Sequence, residues 1–171
     1  DQIKTLMGLP VDISAPGNAV VPSSDNHPGG EHAGLAIDNN SSTKYLNFDK
    51  LDTGLTITTG GGVVTGLGLT SANDAPERDP ASFVLSGSND GGATFTEIAT
   101  GDIAAFGARF ERQEVSFDNS TAYTTYRVVF PTVANADAAN SMQIAEIELL
   151  GTAAEAQPAP EAPALPWSVG L

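Results

Sequence analysis

The run Asp38-Asn39-Asn40-Ser41-Ser42-Thr43 puts an oxygen on every side chain and leads directly into Lys44-Tyr45-Leu46-Asn47-Phe48, an aromatic, β-prone segment. Short oxygen-bearing side chains hydrogen-bond their own backbone and hold tight turns. Mixed carboxylate, hydroxyl and backbone carbonyl oxygens are also the hard donors that calcium takes. Taken alone, the stretch is explained as well by an ordinary Asx-type turn before a strand as by a cation-binding turn.

Two further groups carry polar chemistry. Arg78-Asp79-Pro80 precedes a β-prone run, and a guanidinium offers a planar fork of donors suited to paired hydroxyls or to a carboxylate. The competing reading pairs Arg78 with Asp79 or Glu77 and makes it a brace for the loop. His27 and His32 flank Pro28-Gly29-Gly30-Glu31. A zinc site needs a third ligand there, so none is assigned, and His27 and Glu31 are kept as candidate ligand contacts. No serine sits in a nucleophile elbow, and neither histidine is placed beside a nucleophile, so the sequence does not point to an enzyme.

The elements that must position these groups read as strands. Pro10–Ser14 and Ala19–Val21 are short edge candidates, and Lys44–Phe48 follows the oxygen-rich turn. Gly54–Thr59 alternates, with Leu55 and Ile57 on one face. Gly60-Gly61-Gly62 then reads as a break before Val63–Thr70, where the glycines at 66 and 68 share a face and signal a close backbone approach. Ala81–Gly87 and Ala93–Ala99 flank Asn89-Asp90-Gly91-Gly92, a hairpin signal with a loop longer than two residues. Arg109–Phe117, Tyr123–Phe130 and Gln143–Leu150 complete the set. Three polar loops, 22–34, 71–80 and 133–141, lie between them; long ordered loops usually carry function. No convincing helical periodicity appears. About eight short strands with frequent turn signals predict an all-β, antiparallel, jelly-roll-type sandwich.

With 171 residues the chain has room for one domain of ordinary size plus tails. Seven Lys and Arg against 21 Asp and Glu give a net charge of −14. That balance opposes nucleic acid or anionic membrane as a partner and favours cations. There is no cysteine, which excludes disulfides, thiolate metal sites and a cysteine nucleophile. The divisions expected are an N-terminal tail over 1–10, the sandwich over 11–152 and a Pro/Ala-rich linker over 153–171. The linker's prolines favour a semi-rigid extended spacer. Its last residues, too short to cross a bilayer, resemble the lead-in to a C-terminal anchoring or sorting helix of exported bacterial proteins.

The spacing of Asp38, Asn40 and Thr43, the following Lys44-Tyr45, the central Ser86-Gly87-Ser88-Asn89-Asp90-Gly91 and the closing Ala145-Glu146-Ile147-Glu148-Leu149 together resemble the discoidin (coagulation factor type C) family. That family has a galactose-binding-like sandwich and includes many bacterial carbohydrate-binding modules. The resemblance covers roughly Val11 to Gly151. It implies a structural calcium ion held by the carbonyls of Leu35, Asn40 and Ala145, the carboxylates of Asp38 and Glu146, and Thr43. Asn39 stands where the family usually has glycine, and asparagine tolerates the positive φ that such a turn needs. The resemblance further implies a non-catalytic carbohydrate-binding or adhesion module, secreted or displayed on a bacterial surface. The glycan or polysaccharide would be contacted by Arg78, Glu31, His27, Asp74 and Asn140 where at least two of the loops converge. The alternative is a structural or protein-binding surface domain with no sugar site. Scarcity of aromatics favours the alternative: Trp167 is the single tryptophan and lies beyond the domain, while Tyr45, Tyr123 and Tyr126 fall in strands.

Overall fold

Hydrophobic alternation along one long strand sets the architecture. The computed structural model describes Ile3 and residues 7–154. The expected linker lies outside the described residues, except for its first two positions. Among the described residues ten strands are formed: β1 (Val11–Asp12), β2 (Ala19–Pro22), β3 (Tyr45–Asn47), β4 (Thr53–Thr70), β5 (Ser82–Ser88), β6 (Thr96–Asp102), β7 (Arg112–Ser116), β8 (Tyr123–Phe130), β9 (Met142–Ile144) and β10 (Glu146–Ala153). Two short 3-10 turns, Ala33–Ile37 and Pro76–Arg78, interrupt the loops. No described helix is long and apolar enough to cross a membrane.

β4 belongs to both layers of the sandwich. Its first half pairs antiparallel with β2 and β8, and β8 continues to β5 and β6; its second half lies between β10 and β7, with β1 beyond β10. β3 and β9 pair separately, with Tyr45 opposite Ile144. Leu55 and Ile57 from one half of β4, Leu67 and Leu69 from the other, Tyr126 and Val128 from β8, and Ile147 and Leu149 from β10 are fully or almost fully buried in one core. Each contributes on the order of 2 kcal/mol by leaving water. The expected antiparallel sandwich is therefore present, with a single strand linking its two layers.

Several strand boundaries differ from the sequence reading, and the expected closing strand Gln143–Leu150 divides at Ala145 into β9 and β10, which pair in different sheets. Gly60-Gly61-Gly62 does not break the chain, because Gly62 keeps pairing with Tyr123 and Ala153 and the Gly61 carbonyl accepts from the Ala154 N–H at 2.8 Å. A register shift follows Thr58, and Gly61 turns through φ 94°, a value open to glycine without penalty. β6 starts at Thr96 rather than Ala93 because Asp90 captures Thr94, accepting from its N–H at 3.0 Å and its hydroxyl at 2.6 Å, which prolongs the turn. β7 starts at Arg112 rather than Arg109: Arg109 turns away to Asp79, and Phe110 adopts φ 59°.

Candidate functional site

Burial and charge act against each other at the oxygen-rich turn. The 3-10 turn Ala33–Ile37 delivers the chain to Asp38, and β10 begins at Glu146 beside it. Thr43 Oγ1 donates to Asp38 Oδ2 at 2.8 Å and lies 2.7 Å from the Asn40 carbonyl oxygen. Glu146, 6% exposed, accepts the Asn40 N–H at 2.8 Å and the Asn39 N–H at 3.3 Å. Asn39 takes φ 60°, the left-handed conformation expected for it. Burial, with the Asp38 carboxyl next to it as a smaller cause, pushes the Glu146 carboxyl up to about 7.

Two carboxyls, a hydroxyl and a turn carbonyl thus meet at one point, and the pressure on Glu146 to stay neutral is what a cation between the carboxylates would relieve. Leu35 sits in the 3-10 turn, three residues before Asp38, and Ala145 directly precedes Glu146. The described residues hold no group of three or more His, Cys, Asp or Glu able to bind a metal. A mixed set with two carboxylates and neutral oxygens fits a hard cation.

A second polar centre forms at one end of β3 and β9. Lys44 Nζ donates to Asp74 Oδ1 at 2.9 Å and to Gln143 Oε1 at 3.0 Å, with Glu31 Oε1 at 3.9 Å. Gln143 in turn holds the Asp74 carboxylate and the carbonyls of Asp74 and Ala75. The Lys44 hydrogen bond holds the Asp74 carboxyl below its usual range. Ala75 is kept at φ 46°, an unfavourable conformation for a residue with a Cβ. Loops 22–34 and 71–80 therefore converge, as expected. Loop 133–141 joins them through Ala134 N–H to the Asp79 carbonyl and Asn135 N–H to the Glu77 carbonyl, at 2.8 and 3.0 Å.

The five candidate ligand contacts are distributed unevenly. Glu31 and Asp74 belong to the Lys44 cluster, and the charge of Arg78 reaches Asp74. Among the described residues Arg78 forms no ion pair, and its Nε is buried with no hydrogen-bond partner. The pairing of Arg78 with Asp79 is not formed, since Arg109 takes that carboxylate. His27 is held in its own loop with Nδ1 3.0 Å from the Pro28 carbonyl oxygen. Asn140 is exposed and accepts from the Ser141 hydroxyl at 3.0 Å. No hydrogen bond or ion pair among the described residues joins either to the cluster. The sequence gives Lys44, Gln143 and Arg109 no place among the candidate ligand contacts. Lys44 carried the one available signal: in a strand whose next residue, Tyr45, enters the core, it must point the other way.

No protein-family profile matches the chain. A curated peptide-N(4)-(N-acetyl-beta-glucosaminyl)asparagine amidase from Arabidopsis thaliana is 35% identical over 82 residues, which are 47% of this chain and 11% of that protein. Among solved structures, a family 32 carbohydrate-binding module from Clostridium perfringens in complex with galactose superposes with a TM-score of 0.67 at 17% identity, covering 83% of this chain and 99% of that one. Another C. perfringens module of that family, in complex with GalNAc-beta-1,3-galactose, gives 0.68 at 19% identity over 83% and 100% of the two chains. An F5/8 type C domain from Bacteroides fragilis gives 0.66 at 17% identity over 85% and 97%. The pairing, the shared core and these likenesses agree on the fold: the chain is an antiparallel β-sandwich of the galactose-binding-like type.

Proposed function

We propose that this domain is a non-catalytic carbohydrate-binding module of an exported bacterial protein, stabilised by calcium at the Asp38 turn, with its glycan site at the loop end beside Lys44. The observation that carries the glycan reading is Arg78. Its Nε is buried and lacks a partner, and no carboxylate pairs with it among the described residues. A buried donor left unsatisfied costs about 1–3 kcal/mol, so a polar ligand that supplies an acceptor gains what the free protein lacks. Vicinal hydroxyls of a sugar offer such acceptors, and the half-buried carboxylate of Glu31 and the exposed one of Asp74 can accept hydroxyl donors nearby. Galactose and GalNAc-beta-1,3-galactose, bound by two structural neighbours, are the first sugars to try.

Calcium would be held by Asp38, Glu146 and Thr43 with the carbonyls of Leu35, Asn40 and Ala145. Its chemistry there is charge neutralisation: it would tie the Asp38 turn to the start of β10. The backbone N–H groups of Asn39 and Asn40 orient Glu146 for this role, and Thr43 orients Asp38.

A glycan array run with and without chelator, followed by titration of the best sugar into Arg78→Ala, tests the assignment. Arg78→Ala should abolish binding with little change in melting, because charge-assisted hydrogen bonds are roughly twice as strong as neutral ones. Unchanged affinity in the variant would make Arg78 a loop brace and place the sugar elsewhere. A second reading, a structural or protein-binding surface domain, is favoured by the tyrosines: Tyr45 and Tyr126 are wholly buried and supply no stacking face. The partial match to a glycan-processing amidase supports the related reading that the domain is an appendage of an enzyme.

A further inference from the structure

The layer formed by β1, β10, the second half of β4 and β7 turns Ile147, Leu149, Leu67 and Leu69 into the core. Its other face is organised by register: Glu148 and Glu114 flank Gly68, and Leu150 and Ser116 flank Gly66. Where the central strand has no side chains, the flanking ones wall a trough. A cavity of about 570 Å³ there shares Asn39, Arg112 and Glu148 with a neighbouring one of about 310 Å³, and Pro10, Glu114 and Leu150 with another of about 290 Å³.

Arg112 lies across the floor. Its Nε donates to Glu148 Oε1 at 2.8 Å and its Nη1 to Glu114 Oε1 at 2.6 Å, while Nη2 closes on Glu148 Oε2. A Cβ on Gly68 would come within 2.7 Å of Glu148 Oε2 and 2.8 Å of Arg112 Nη2, so glycine is what lets the pair lie flat. At one end stands Phe110, 50% exposed and held at φ 59°. A bulky residue adopts that conformation only at an energetic cost. An ion-pair network alone accounts for neither the trough nor the outward phenylalanine.

We propose that this trough is a second glycan-binding site, independent of the loop-end site, that takes a linear chain of neutral or amino sugars. Phe110 supplies the apolar face against which a pyranose ring packs. Arg112 fixes Glu114 and Glu148 as acceptors for hydroxyl or ammonium donors. Asp12, Glu114 and Glu148 outnumber the one guanidinium, which disfavours uronic acids.

The test uses the described domain with its flanking tails, titrated with hexasaccharides of glucosamine, N-acetylglucosamine and galacturonic acid and followed by amide NMR and calorimetry. Binding of at least one of the first two, with shifts centred on Gly66, Gly68 and Arg112, is the expected result. Phe110→Gly should weaken that binding about tenfold, the change expected from losing a few tens of Å² of buried ring. Its melting temperature should stay level or rise, because glycine accepts φ 59° freely. Arg78→Ala should leave this binding intact. Shifts confined to Lys44, Asp74 and Gln143, unchanged affinity in Phe110→Gly, or equal binding of the galacturonic acid chain would each overturn the proposal.

Discussion

Arg109 grips Asp79 with both ends of its guanidinium: Nη1 donates to Oδ1 at 2.8 Å, Nη2 closes on Oδ2, and Nη1 also reaches the Asp74 carbonyl at 3.2 Å. The Asp79 side chain is 5% exposed. Burial raises its carboxyl above the usual range even though Arg109 opposes the shift. This pair fixes loop 71–80, so the adjacent Arg78 is not needed to hold the loop.

The two arginines should therefore separate on mutation. Arg109→Ala leaves a buried carboxylate without its cation and should cost about 3 kcal/mol, or roughly 10 °C in melting temperature for a domain of this size. Arg109→Lys should recover only part, since an ammonium cannot span both oxygens. Arg78→Ala should fall within about 0.5 kcal/mol of the parent. Thermal melts of the three variants check this, and equal losses for both alanines would refute the division of labour.

Calcium removal gives the second prediction. An ion that binds only the folded state contributes about 2.7 kcal/mol when it is roughly a hundredfold above its dissociation constant. Starting from protein verified as metal-loaded, excess chelator should lower the melting temperature without altering the far-ultraviolet spectrum. Asp38→Ala and Glu146→Ala should melt like chelated protein and ignore added calcium. A melting temperature indifferent to chelator would remove the calcium assignment.

What the sequence disclosed and what it concealed divide by range. Alternation at Leu55 and Ile57 and the local spacing of Asp38, Asn40 and Thr43 were legible because each depends on neighbours a few residues away. The meeting of that turn with Glu146, 106 residues from Asn40, was legible only through the resemblance. Arg109 with Asp79, Lys44 with Asp74 and Gln143, and the continuity of β4 through Gly60–Gly62 depend on which strands lie side by side. No local pattern records that. Phe110 looked like a strand residue because β-propensity describes a side chain on a pleated surface. Here Glu111 captures the N–H groups of Gly107 and Ala108 and turns the backbone first.

Asp12 supplies a pH prediction. Its Oδ1 accepts from Ser14 N at 2.9 Å, Ser14 Oγ at 2.6 Å and Leu149 N at 3.0 Å, yet burial, with help from the charge of Glu148, raises its carboxyl. With the folded pKa above the unfolded one, the folded state holds the extra proton, so this group's contribution falls as pH rises from about 3.8 through the raised value. Asp12→Asn keeps an acceptor oxygen and sheds the charge. It should match the parent at acid pH and exceed it at neutral pH. Denaturation curves across that range would show the difference opening; a variant less stable at neutral pH would mean the anion is favoured in place.

Asn39 provides the final prediction, because its role is backbone conformation. It holds φ 60°, and its N–H, with that of Asn40, points at Glu146. Glycine reaches this conformation without a steric penalty and asparagine nearly so. Asn39→Gly should therefore leave stability within a few tenths of a kcal/mol, alanine should lose about 1 kcal/mol, and valine, branched at Cβ, should lose more. Calcium affinity should follow the same order, because a turn that leaves the left-handed region swings both N–H groups off Glu146. Chelator-corrected melts and calcium titrations of the three variants read the two rankings independently. Stability that falls in this order while calcium affinity stays constant would show that the turn conformation and the ion site are uncoupled.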